Sequence, residues 1–275
     1  QPEERLNREA EKLGKSESPM SEDEAAALIE AYLLTRADGL AEQITALIDG
    51  AAVDWQAEDL AAELNRVAKI VTDGLDFGEW SGLSDVVEPI IRRAAEDGAV
   101  AALLQVMPDP AVGMVTNIRS RAVKWAHERA AEMVGMKWVG GELIQNPAAE
   151  WQITEGTREM IRAQVVEAMR NGDSVQELAG RLKESHAFSN ARARTETAMA
   201  DGMGNLIGWE ETGLVSGKQW LTAEDDKVSE ICDTNGDMGV IGLNEHFAHG
   251  SLTIPGHPNC RCTVIPVLPE DMPKS

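Results

Sequence analysis

Basic residues are scarce: 25 Lys and Arg stand against 47 Asp and Glu, a formal net charge of -22. Such a surface repels phosphate backbones, and no basic cluster offsets it, which argues against general duplex binding. Aromatic residues make up only 4% of the chain, most of them tryptophan, while alanine is abundant, so helices are favoured over sheets. Three cysteines in 275 residues do not make a disulfide framework, and the odd count leaves at least one unpaired. No apolar run approaches the ~20 residues of a membrane span, and Gln1-Pro2-Glu3-Glu4-Arg5 lacks the apolar core of a secretory signal. The expectation is a protein made in a reducing cytosol. Also missing are a phosphate-cradling Gly-Lys-Ser/Thr loop, a Gly-x-Ser-x-Gly elbow and a His-Glu-x-x-His helix. Without them, spacing proposes no nucleophile and base.

What is present is ordinary globular material, 43% hydrophobic and 26% charged, long enough for one or two domains. Residues 1–20 are polar and read as a flexible arm. Ser21 to Glu24 forms a capping box, opening a helix whose apolar spacing runs to Gly50 with an interruption at Gly39. A second helix fits Gln56 to Asp73; a third is capped by Ser84, with Pro89 near its first turn; a fourth runs from about Ala111 to Val134. Gly140-Gly141 and Pro147 mark a boundary or hinge. A helical hairpin follows, from Ile153 to Arg170 and again from Ser174, and then a long helix from Asn190 to Glu211. Beyond Gly213 the period shortens: 218–222 suits a strand, Gly239 to Leu243 a weak one, and Cys262 to Ile265 a strand stopped by Pro266. The fold class expected is mainly α, with an N-terminal helical bundle, a helical hairpin and a small α+β C-terminal cap. The domain limits expected are 1–20, 21–150 and 151–275.

The chemistry-bearing residues gather at the end of the chain. Cys260 and Cys262 follow His257 within six positions, and Cys232 precedes them. Three sulfurs and one imidazole make a zinc set, since thiolate and imidazole are the ligands that zinc prefers. Buried, inert cysteines with a turn histidine are an alternative, as is a disulfide from Cys232 to Cys260 or Cys262 formed outside the cytosol. The acidic turn Glu224-Asp225-Asp226 reads as a solvated loop or a cation site. At the start of the last long helix, Arg192 and Glu196 stand at i, i+4, and Arg194 with Glu196 reads as a charge pair holding that helix against the cap rather than as catalytic machinery.

In order, Ala193-Arg194-Thr195-Glu196-Thr197, Trp209 to Gly213, Gln219-Trp220 to Asp225-Asp226, Asn235-Gly236 and Gly256-His257-Pro258-Asn259-Cys260-Arg261-Cys262 resemble the phage Mu F-like head morphogenesis domain of minor head proteins in tailed bacteriophages. The resemblance spans roughly Trp151 to Val267, and it singles out Arg194, Glu196, Trp220, Asp225, Asp226, Gly236, Pro258, Asn259 and Arg261 as structural motif residues. Members of the family often carry Cys-x-x-Cys after the acidic turn; here the first of those positions is Ser229, and a hydroxyl is a poor zinc ligand. The resemblance implies a minor head protein of the virion, made in the host cytoplasm and acting at the portal vertex in head assembly, DNA packaging or DNA ejection. Portal or major capsid protein would be its partner and oligomers are compatible with that role. A metal-assisted hydrolase or nucleotide-using transferase, built on His257, Asp225 and Asp226, is the alternative.

Overall fold

The computed structural model describes residues 22–51, 54, 56–76, 82–149, 152–184, 190–225, 227–258 and 260–273. The arm 1–20, Ser21, Asp226, Asn259 and the side chain of Arg192 lie outside the described residues. Eight helices are described: α1 (Glu22–Gly50), α2 (Leu60–Gly74), α3 (Gly82–Val106), α4 (Val112–Met133), α5 (Ile153–Asn171), α6 (Val175–Glu184), α7 (Asn190–Thr212) and α8 (Glu230–Asp237). β1 (Met136–Val139) and β2 (Glu142–Gln145) pair in a hairpin, and β3 (Gly217–Leu221), β4 (Val240–Gly242) and β5 (Thr263–Val267) make a three-stranded antiparallel sheet in the order β4-β3-β5. The chain is mainly α with a small α+β C-terminal part. No described helix is long and apolar enough to cross a membrane.

Contacts divide the chain into two compact units, built chiefly of 27–87 with 128–190 and of 88–127 with 191–275. In the first, α2 buries Leu64, Val67, Ala68 and Val71, a three-and-four stripe that makes its inner face. Asp59 caps it, accepting from the Ala62 amide at 2.9 Å, and Arg158 of α5 donates to the Thr72 and Leu75 carbonyls at its far end. Helix α5 buries Ile161, Val165 and Ala168, then stops at Gly172 in the left-handed conformation (φ 72°). Ser174 and Glu177 restart the chain with a reciprocal capping box, and Leu178 and Leu182 turn α6 inward.

In the second unit, α7 crosses α3 so closely that a Cβ on Gly204 or Gly208 would run into the backbone oxygens of Ala95 and Ala99. Glycine is what allows two helix backbones to approach that far. On α4, Arg121 pairs with Glu210 and Glu211 of α7, and Asn117 donates to Glu211 at 2.7 Å. Beneath them a core of Trp209, Val215, Trp220, Cys232, Ile241, Phe247 and Val264 joins α7 to the sheet and to α8. Trp220 and Phe247 meet edge to face, centroids 5.1 Å apart.

Several elements differ from the sequence expectation for physical reasons. Helix α1 runs through Gly39 without a break, because Ala37 and Leu40 on either side are both buried. Helix α2 begins at Leu60, after the Asp59 cap, not at Gln56. Helix α3 begins at Gly82, which moves Pro89 into its interior; Val86, Val87, Ile90 and Ile91 are all fully buried around it and hold the turn that the missing N–H weakens. The stretch around Gly140-Gly141 is the turn of a β-hairpin. Pro266 does not stop the last strand but lies within it, opposite Lys218, which an edge strand tolerates. Helix α8, in a stretch too short and polar for a hydrophobic period, has no counterpart in the sequence expectation.

Candidate functional site

Ser229 opens the site. Its hydroxyl accepts from the Cys232 amide at 3.3 Å, capping α8 and placing Cys232 in the first turn, 1% exposed. Ser229 is thus a helix cap rather than a substitute ligand. From the other side comes the loop leading into β5, where the Cys260 amide bonds the His257 carbonyl at 3.2 Å. This turn carries the Cys260 sulfur to 3.6 Å from that of Cys232. Ligand atoms of Cys232, His257 and Cys260 all lie within 4.8 Å of one another. Cys262, buried just before β5, lies beside the Cys232 thiol and the Trp220 indole but outside that set of three. All three cysteines are free.

The cluster fits a metal on three counts. Two thiolates at 2.3 Å from a tetrahedral zinc lie about 3.8 Å apart, close to the observed sulfur separation. His257 donates from Nδ1–H to the Pro258 carbonyl at 2.7 Å, a tautomer that leaves Nε2 the lone-pair nitrogen. The buried Trp220 N–H is directed at the Cys262 sulfur, which as a thiolate would accept it more strongly. Burial pushes the Cys232 thiol up to about 12, and the neighbouring sulfurs push the same way; Cys262 is also raised, chiefly by burial. A cation among them reverses that preference, since it stabilises the thiolate that an apolar site disfavours.

Asp225 and Arg261 make a second link between the same two segments. Two parallel bonds of 2.5 and 2.7 Å join carboxylate to guanidinium, and Asp225 also accepts from the Lys227 amide at 2.9 Å. These hold Asp225 at about 2, the arginine contributing most. A carboxylate so engaged is a weak proton acceptor, which counts against it as a general base. Gly236 lets α8 lie close to the end of β3, where an added Cβ would be 3.2 Å from the Thr222 methyl. Arg194 and Glu196 lie far along the chain on α7, Glu196 being 2% exposed. Pro258 is exposed and contributes through its carbonyl.

Two residues carry chemistry that spacing does not signal. Lys218 on β3 is fully buried, its ammonium 2.7 Å from the Leu252 carbonyl and over the Phe247 ring at 5.4 Å. Burial lowers it to about 8, against the pull of Glu210 and Glu245. Its alternation with Trp220 on the strand is the available signal. Asn235, one turn after Cys232, is fully buried with both side-chain polar atoms unpartnered.

Residues 159–265 match the family model described as Phage Mu protein F like protein. Over that span the chain is similar to Mu F-like proteins. Comparison with curated proteins and with solved structures finds no match. The matched span contains all three cysteines, the Asp225–Arg261 pair and most of the sheet, so the similarity and the candidate site fall in the same region. The family points to a phage head-morphogenesis protein, hence to a virion-associated place and capsid-related partners.

Proposed function

We propose that this chain is a minor head protein of a tailed bacteriophage that acts at the portal vertex, in head assembly, DNA packaging or DNA ejection. The observation that carries the reading is the family match over 159–265, the span in which Cys232, His257 and Cys260 converge and Asp225 pairs with Arg261. In this reading the helices within residues 21–150 meet the portal or major capsid protein, and residues 151–275 carry the Mu F-like part. Zinc held by Cys232, His257, Cys260 and Cys262 ties α8 to the loop before β5; bound there it would act as a staple, supplying folding energy rather than reactivity. The net charge of -22 suits basic patches on protein partners better than DNA.

Quantitative mass spectrometry of purified particles tests it. A few copies of the chain for each portal ring support a vertex role; expression in infected cells with none in particles rejects it. Turnover lost in His257→Ala at unchanged melting temperature would favour the enzymatic alternative.

A further inference from the structure

Cys232 and Cys260 are carried by segments of different kinds. Cys232 is fixed by the α8 cap, whereas Cys260 sits in a stretch without regular structure, tied locally by its amide to the His257 carbonyl. Their sulfurs are 3.6 Å apart, while their positions are 28 residues apart in sequence. Closing the gap to a bond of about 2.05 Å asks for a shift of under 2 Å, which the loop rather than the helix would supply. Cys260 is the less buried of the two, so a small molecule in solution reaches it first.

We propose that Cys232 and Cys260 are a disulfide-forming pair, and that this bond and a bound metal exclude one another because both use the same two sulfur atoms. The exclusion rests on the metal reading given above; the bond itself does not. The oxidant is a low-molecular-weight disulfide such as oxidised glutathione. The Cys260 thiolate attacks one of its sulfurs, forming a mixed disulfide and releasing the other half as a thiol. Cys232, giving up its proton, then attacks the Cys260 sulfur and expels the second half. Two protein thiols lose two electrons, one small disulfide becomes two thiols, and the protons balance. Cys262 remains a thiol. A metal favours the reduced form inside the host cell, and the covalent link takes over in a particle outside it.

The test uses the full chain, freed of metal with a chelator or loaded with one equivalent of zinc, in oxidised glutathione. Free thiols are counted in denaturant, and the unreduced digest is mapped by mass spectrometry. In the metal-free chain the count should fall from three to one, with the Cys232 and Cys260 peptides joined. Zinc should slow this at least tenfold. Cys262→Ser should keep the link and Cys232→Ser should lose it, circular dichroism showing that each variant is folded. Three thiols persisting in the metal-free wild type, or a link to Cys262 instead, overturns the proposal. Equal rates in a chain that binds zinc overturn the exclusion. Equal rates in a chain shown by elemental analysis to bind none sink the metal reading and leave the bond standing.

Discussion

The second unit is held by two joints of opposite character. At one, α3 and α7 meet backbone to backbone over Gly204 and Gly208, too close to admit a side chain at either position. At the other, α8 and the loop before β5 meet through sulfurs, an imidazole and a charge pair, all of which respond to solution conditions. The first joint sets the shape once, at folding. On the proposals above, the second is where a metal or an oxidant would act on the same fold.

The glycine crossing should be the harder to alter. Gly204→Val forces a branched side chain into the Ala95 carbonyl and should cost about 3 kcal/mol or more; urea unfolding with a wild-type midpoint would show that the crossing is looser than described. Stripping metal from the other joint comes next. With free zinc a hundredfold above its Kd, chelation should remove about 2.7 kcal/mol, and Cys232→Ser should abolish that difference; a melting curve indifferent to chelator would rule out the staple.

Charge tests the same contrast more gently. Lys218 titrates at about 8 in the fold, below its ordinary 10.5, because burial disfavours the ammonium. Between those values the unfolded chain keeps a proton that the folded chain has released, so stability should rise with pH from 8 to 10.5. Lys218→Met should flatten that rise, and an unchanged profile in the variant would assign the slope elsewhere. The smallest effect belongs to the exposed Asp225–Arg261 pair. Its contribution is present above the ordinary aspartate value of 3.8 and should fade as pH drops from there to about 2. Asp225→Asn should lose only that acid-sensitive part, which high salt should also erase.

The two joints are unequally legible in the amino-acid sequence, and so are the elements around them. Helices α5 and α7 can be bounded to within about two residues because their apolar spacing and their stops at Gly172 and Gly213 agree. The chemistry of Cys232, His257 and Cys260 is legible from residue type, but their convergence is not, since it depends on α8, an eight-residue helix with too few apolar positions to announce itself. Ser229 reads as a missing ligand because its local task, capping that helix, is visible only once the helix exists. Lys218 is hidden for the opposite reason: a lysine in a strand reads as an exposed position, and only the Leu252 carbonyl and the Phe247 ring explain its burial. The hairpin at 136–145 reads as a hinge because its two glycines outweigh four-residue strands.

The margins of the small sheet have a consequence for life in a crowded place. One margin is β4, three residues long, and the other is β5, interrupted by Pro266, which offers no N–H to a visiting strand. Neither can recruit a stray chain into a growing ribbon. A sheet so bordered offers little backbone for another copy of the chain to pair with.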